Sequence, residues 1–189
     1  MNAGSVIWFT GLPCSGKSTL AHLLRESLSC QGVPSEMFDG DIVRQRLTKG
    51  LGFSKEDRME NVLRISFVAN LLARHGIVAI VAAISPYQEA RDKIRKEVKN
   101  YVEIFVDCPL EVCQARDVKG MYKKAQAGEI QHFTGVSDPY EVPTVPDLVL
   151  KTSEESQTES LTRILNFLEK AGHISVSKNP SLTLPEGIK

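Results

Sequence analysis

The segment GLPCSGKST at residues 11–19 constrains the fold of this chain more than any other part of the sequence. It matches the pattern GxxxxGK[ST], follows a short apolar run at 6–9 and precedes leucines at helical spacing. Between a strand and a helix, such a loop surrounds a phosphate with backbone N–H groups. The segment therefore predicts a phosphate-binding loop, the P-loop, with Lys17 reaching the β- and γ-phosphates and the Ser18 hydroxyl available to Mg²⁺.

Strands and helices are predicted to alternate after the P-loop. Short apolar runs near 35–38, 77–84, 102–106 and 148–150 predict strands, and segments with helical periodicity lie between them. Parallel strands need long crossover connections, which are nearly always right-handed. The sequence therefore predicts an α/β fold of the P-loop NTPase type, a parallel β-sheet with helices on both faces. Ligands of such a fold bind at the carboxyl ends of the strands.

Residues 116–146 interrupt this alternation with three glycines and three prolines among basic residues. A long irregular stretch in a compact domain is a functional lid or a disordered loop, and we predict a lid. One domain is expected over 1–172, because 189 residues are too few for two ordinary domains with separate functions. The tail at 173–189, rich in serine, proline and lysine, is predicted to be flexible.

The charge balance, the apolar runs and the cysteines argue against several classes of function. The 23 basic and 23 acidic residues cancel, so no global field attracts nucleic acid or an anionic membrane. The longest apolar run, 77–84, is well short of the ~20 residues that a membrane-spanning helix needs. The four cysteines lack zinc-site spacing, and the chain opens without a secretory signal. We therefore expect a cytoplasmic protein whose partner is a small anion, with neither nucleic acid nor membrane as a partner.

A P-loop alone does not separate a kinase from a GTPase, a motor or a nucleotide sensor. Asp39 and Asp41 follow a predicted strand, where one carboxylate can order Mg²⁺ and the other can accept a hydrogen bond from the hydroxyl being phosphorylated. The alternative is a plain Asp-Gly-Asp turn. Arg44 lies about one helical turn after Asp41, and Arg58 and Asn61 are three residues apart on a predicted helix, so each pair shares one helix face. These residues either bind a second anion or are ordinary solvated surface side chains.

With these residues in view, the chain resembles the adenylylsulfate kinase (APS kinase) family over residues 7–152. The resemblance rests on six ordered motifs: GLPCSGKST at 11–19, DGDIVR at 39–44, GFSKEDRMENVLRI at 52–65, ISPYQEAR at 84–91, PLEVCQARDVKGMYKKA at 109–125 and FTGVSDPYEVP at 133–143. It implies ATP-dependent phosphorylation of the 3′-hydroxyl of adenosine 5′-phosphosulfate (APS), giving 3′-phosphoadenosine 5′-phosphosulfate (PAPS) and ADP in sulfate assimilation. It also implies Mg²⁺ bound with ATP and a homodimer.

The resemblance assigns the site residues by position. Those expected to bind ATP are Gly11, Leu12, Pro13, Cys14, Ser15, Gly16, Lys17, Ser18, Thr19, Arg116 and Thr152. Those expected to bind APS are Asp41, Arg44, Phe53, Arg58, Asn61, Ile84, Ser85, Lys119 and Phe133. The residues expected to act in the reaction are Lys17, Asp39, Asp41 and Ser85, and the expected metal ligands are Ser18 and Asp39.

Three of these residues have a competing interpretation. Phe53 and Phe133 lie in glycine-containing loops with few apolar neighbours, so we expect exposed rings that sandwich an adenine, the alternative being core packing. The resemblance implies a phosphoserine intermediate at Ser85. In-line transfer from ATP needs no covalent step, and direct transfer is favoured. Ser-Pro at a strand end is also a common turn.

Two other functions remain open on the sequence alone. One is a P-loop kinase for a different nucleotide or a polyol, against which the two phenylalanine loops and the DGD motif argue. The other is a regulatory module that binds a nucleotide without transferring phosphate. Intact Lys17, Ser18, Asp39 and Asp41 argue against it.

Overall fold

Five strands and seven helices form residues 4–174, the part of the chain that this computed structural model describes. In chain order they are β1 (Val6–Thr10), α1 (Lys17–Cys30), β2 (Ser35–Asp39), α2 (Gly40–Gln45), α3 (Lys55–Arg74), β3 (Val78–Ala82), α4 (Gln88–Glu97), β4 (Tyr101–Asp107), α5 (Leu110–Arg116), α6 (Met121–Gln126), β5 (Leu148–Lys151) and α7 (Gln157–Lys170). No helix within these residues has the length and apolar character needed to span a membrane.

The strands form one parallel sheet in the order β2-β3-β1-β4-β5. Strands β1 and β3 are buried along their whole length, as their continuous apolar sequences predict. Because all five strands run the same way, their carboxyl ends meet at one edge of the sheet. The P-loop, Asp39 and the residues that follow β3 are therefore brought to that edge, confirming the predicted fold class.

The sheet divides the apolar core in two. Successive side chains of a strand point to opposite faces, so Ile7 and Phe9 of β1 pack with α1 and α7, whereas Val6 and Trp8 pack with α3 and α4. A third, smaller cluster joins the start of the P-loop to the lid, and its buried members are Cys108, Cys113, Tyr122, Ala125 and Phe133. Helices therefore cover both faces, and part of the lid has a core of its own.

The structure differs from the prediction in three main respects: the end of β3, an additional helix and the end of the domain. Strand β3 ends at Ala82 although the apolar run continues to Ile84, because Ser85 takes a left-handed backbone conformation with φ 47° just beyond. The predicted irregular segment contains the short helix α6. Ile174, past the predicted domain end at 172, is buried in the first core, so the packed domain extends beyond that point. The rest of the predicted flexible tail, 175–189, lies outside the described residues.

Candidate active site

The P-loop closes tightly between β1 and α1. Gly11 has φ 151°, and a Cβ atom at this position would lie 2.6 Å from the carbonyl oxygen of Val106, so only glycine fits there without a shift of the backbone. Ser15 N–H donates to the Leu12 carbonyl at 3.2 Å, while the Pro13 carbonyl accepts from Tyr122 of the lid at 3.1 Å. The loop is thus held from within and from the lid.

Lys17 is buried although it opens α1. Its ammonium donates to the Leu12 carbonyl at 2.6 Å and lies 3.4 Å from the Ser15 hydroxyl. Burial lowers the pKa of Lys17 from 10.5 to about 8, because a charged ammonium loses solvation inside the protein. An anionic phosphate in the loop would favour the charged form and raise this pKa. Thr19, two residues further along the helix, has an exposed side chain.

Ser18 and Asp39 place two side-chain oxygen atoms next to each other. The Ser18 hydroxyl donates to Asp39 Oδ2 at 2.7 Å, and Asp39 Oδ1 accepts from the Asp41 N–H at 2.9 Å as the N-cap of α2. Mg²⁺ prefers hard oxygen ligands and commonly takes only one or two from protein, the rest coming from water and substrate phosphates. The described residues contain no cluster of three or more metal-binding side chains. This pair therefore fits a Mg²⁺ ion that arrives with a nucleotide.

Asp41 faces the lid. Its carboxylate is ion-paired with the Lys119 ammonium, and both side chains are exposed. The hydrogen bond to Asp41 raises the pKa of Lys119, so the lysine remains charged at neutral pH. A continuous series of polar contacts consequently runs from the P-loop at Ser18 through Asp39 and Asp41 to the lid at Lys119.

Arg44 and Arg58 converge on Phe53. Their guanidinium carbons lie 4.4 Å and 5.3 Å from the centre of its ring, within the range of cation–π attraction. Arg44 also donates to the Gly52 carbonyl at 2.9 Å, and Arg58 donates to the carbonyls of Phe53 and His132. The last contact joins α3 to the lid, and these bonds to backbone carbonyls fix both arginines before any ligand binds.

The two arginines lie close enough to repel each other. Burial is the main cause that lowers the pKa of Arg58, and the positive charge of Arg44 is the second. Burial also lowers the pKa of Arg44, against the attraction of Asp57. An anion between the two cations would remove this repulsion and supply charge-assisted hydrogen bonds. The pair is therefore suited to a phosphate or sulfate group.

The two predicted aromatic rings differ in exposure. Phe53 is 51% exposed, as expected for a ring that awaits a partner. Phe133 is only 8% exposed and packs edge-on against Tyr122, with ring centres 5.0 Å apart, so the prediction of an exposed ring is wrong there. Its loop folds back on itself, with the Phe133 N–H donating to Ser137 Oγ at 2.8 Å. Only a small part of this ring remains available to a ligand.

Ile84 and Ser85 lie just beyond β3, beside the P-loop strand. The Ile84 carbonyl accepts from the Thr10 hydroxyl at 2.7 Å, and Ser85 Oγ accepts from the Trp8 indole N–H at 2.9 Å. Ser85 is 2% exposed. The pairing of Trp8 with Ser85 was not predicted, although an indole N–H in a buried apolar strand needs an acceptor, which was a usable signal.

Asn61, Arg116 and Thr152 complete the predicted set. Asn61 is buried on α3, and its side-chain oxygen accepts from Thr48 at 2.7 Å. Arg116 Nη2 donates to the Thr152 carbonyl at 2.6 Å, and the Thr152 hydroxyl donates to the Ser15 carbonyl at 2.7 Å. Arg116 and Thr152 thus lie against the outer side of the P-loop, near Cys14 and Gly16.

Comparison with known proteins identifies close relatives. The sequence model of the family described as adenylylsulphate kinase matches residues 3–151. An adenylyl-sulfate kinase of Rippkaea orientalis is 54% identical over 172 residues, which cover 91% of this chain and 95% of the relative. One from a Synechococcus species is 53% identical over 171 residues, covering 90% and 98%. The solved structure of the Mycobacterium tuberculosis APS kinase in complex with AMPPNP and APS has 44% identity and a TM-score of 0.86, covering 89% of this chain and 99% of that one.

Proposed function

Since this chain belongs to the adenylylsulphate kinase family, we propose that it transfers the γ-phosphoryl group of ATP to the 3′-hydroxyl of APS, giving PAPS and ADP. The observation that carries this proposal is the contact series from Ser18 through Asp39 and Asp41 to Lys119. It connects a nucleotide-binding loop to a site with two arginines and an exposed aromatic ring. A donor site and an anion-binding acceptor site are thus adjacent.

On the donor side, the P-loop holds the phosphates of ATP. Lys17 is already directed into the loop, where its charge opposes the negative charge that develops on the transferred group. Ser18 and Asp39 would hold Mg²⁺, which would neutralise negative charge on the phosphate oxygens. Arg116 closes over the nucleotide from the lid.

On the acceptor side, Asp41 accepts a hydrogen bond from the 3′-hydroxyl and orients it toward ATP. Arg44, Arg58 and Lys119 neutralise the phosphosulfate of APS. Asn61, three residues after Arg58 on α3, binds APS from the same face of that helix. Phe53 stacks on the adenine, and the small exposed part of Phe133 contacts it from the lid. The lid excludes water, which otherwise competes with the 3′-hydroxyl for the phosphoryl group.

Acceptor specificity tests this proposal against the two alternatives. ADP release should be measured with APS, AMP, adenosine and a polyol such as gluconate. We expect strong stimulation by APS alone, because only APS carries both the adenine and the phosphosulfate. Equal stimulation by another acceptor would favour a different kinase, and nucleotide binding without transfer to any acceptor would favour a regulatory module.

Direct transfer, without a phosphoserine, predicts a mild kinetic effect of Ser85→Ala. The Ser85 hydroxyl is buried and accepts from Trp8, so a phosphoryl group there would have to displace a core contact. We expect Ser85→Ala to retain most of kcat. It should lower stability by about 1–3 kcal/mol, because the Trp8 N–H loses its acceptor. Steady-state kinetics and thermal melting measure the two effects, and loss of nearly all turnover in a folded variant would support the covalent route instead.

A cytoplasmic location remains a prediction from the cysteine pattern and the sequence composition, and a homodimer remains a prediction from the resemblance. Sulfate assimilation as the physiological role follows from the product, PAPS, which is activated sulfate.

A further inference from the structure

Arg91 is a fully buried cation that the reaction described above does not use. It lies on α4 with 0% of its surface exposed. Its guanidinium donates to the Ser85 carbonyl at 2.5 Å, to the Glu141 carbonyl at 2.6 Å and to the Gln88 side chain at 2.7 Å. Two of these acceptors are backbone groups from different parts of the chain, one after β3 and one at the end of the lid.

A buried charge is costly unless it is paired. Arg91 Nε lies 3.2 Å from Glu103 Oε1 on β4, and Glu103 also pairs with Arg95, which in turn pairs with Asp147. The network therefore connects α4 to Glu103 on β4 and to Asp147, which directly follows the lid. The opposite charges of the network offset each other, and the hydrogen bonds to Ser85, Glu141 and Gln88 hold the guanidinium of Arg91 in one orientation.

Residues 140–147, at the end of the lid and directly after it, contact both the P-loop strand and the start of α4; we call them the anchor segment. Tyr140 is 2.9 Å from the Thr10 hydroxyl, and Thr10 uses its only proton on the Ile84 carbonyl, so Tyr140 is the donor. Glu141 N–H donates to the Pro86 carbonyl at 2.8 Å, and the Glu141 carboxylate accepts from the Gln88 N–H at 2.6 Å.

These contacts surround a strained turn. Ser85 has φ 47°, a left-handed conformation that non-glycine residues seldom adopt and that persists only where neighbouring contacts hold it. On one side the Ser85 carbonyl is held by Arg91, and on the other the Ile84 carbonyl is held by Thr10. The turn carries two residues assigned to APS, so its position affects the acceptor rather than the nucleotide.

We propose that Arg91 is a positioning residue of the acceptor site, which fixes the Ile84–Ser85 turn to the anchor segment and thereby sets the affinity for APS. This inference rests on the proposed function, because it needs Ile84 and Ser85 to face APS. Arg91 itself touches neither substrate. The P-loop is built from other contacts, so ATP binding does not depend on Arg91.

The test uses the double variant Arg91→Met with Glu103→Gln, which removes both buried charges together and so avoids stranding one of them. Its matched control is Glu103→Gln alone, which keeps the hydrogen bonds of Arg91 to the carbonyls of Ser85 and Glu141. We expect the double variant to raise KM for APS by about tenfold or more, the equivalent of one charge-assisted hydrogen bond. KM for ATP should stay within about twofold in both proteins.

Arg91→Lys is a second test that keeps a positive charge. A single ammonium cannot reproduce the planar fork that spans Ser85, Glu141 and Glu103, so KM for APS should rise here too. An unchanged KM for APS in both Arg91 variants would overturn the inference, and so would equal rises for APS and ATP or an equal rise in Glu103→Gln. If the wild-type protein shows no APS-dependent ADP release, the proposed function fails instead, which is a separate result.

Discussion

Asp41→Asn is expected to lower kcat by about 10²- to 10⁴-fold, the range for loss of a positioned acid–base group. Asparagine is nearly isosteric and still accepts a hydrogen bond, but it cannot take a proton from the 3′-hydroxyl or pair as a charge with Lys119. The P-loop, Ser18 and Asp39 are unaffected. KM for ATP should therefore change little while turnover falls, and initial-rate kinetics with each substrate varied in turn measure both.

Glu36→Gln provides the matched control for Asp41→Asn. Glu36 is an exposed carboxylate on β2, the strand that leads to the DGD motif. Removing its charge changes the local electrostatics without touching the site, so kcat should stay within about twofold of wild type. Wild-type turnover in Asp41→Asn would contradict the role of Asp41. Equal losses in the two variants would show that the effect is a general one of charge.

Lys17→Met is expected to lower kcat/KM for ATP by about 10²- to 10³-fold, as loss of one preorganised electrostatic contact does in other enzymes. Methionine fills a similar volume without a charge. Because Lys17 is buried and uncompensated by a close anion, its removal should not lower the melting temperature. Loss of activity with an unchanged melting temperature would separate a catalytic effect from a folding defect. Lys93→Met, which removes an exposed lysine on α4, is the control.

The same lysine predicts a pH dependence. With a pKa of about 8, Lys17 loses its charge above that pH in the free enzyme, so kcat/KM for ATP should fall there in wild type. The stability of the fold changes with pH in the opposite direction to the activity. The folded pKa lies below the unfolded value of 10.5, so the unfolded state binds more protons between pH 8 and 10.5 and stability rises across this window. A fall of activity without unfolding above pH 8, absent in Lys17→Met, supports the assignment.

Much of the fold follows from local sequence. The P-loop motif predicts the strand before it and the helix after it. The alternation of apolar runs with segments of helical periodicity then predicts a parallel sheet. The end of β3 was predicted too late because hydrophobicity reports burial, and Ala83 is buried in a turn as readily as in a strand. Helix α6 was missed because six residues are too few to show a clear period.

The candidate site was predictable only where a motif carried it. The exposure of Phe133 was predicted wrongly, because its core partner Tyr122 lies on another element of the lid and is not adjacent in sequence. The contacts that hold the acceptor turn were also not predicted. Trp8 and Ser85 are 77 residues apart, and Arg91 and Glu141 are 50 residues apart. Pairings of this kind depend on the strand order, which no local pattern contains.

The position of the transferred phosphate is the most direct test of the proposed function. Product formed from ATP and APS should be identified by ³¹P NMR and mass spectrometry, beside a reaction with an APS analogue that lacks the 3′-hydroxyl. The proposed function predicts phosphate on the 3′ oxygen, and only background ADP release with the 3′-deoxy analogue. Phosphate at any other position, or rapid ADP release with the 3′-deoxy analogue, would contradict it.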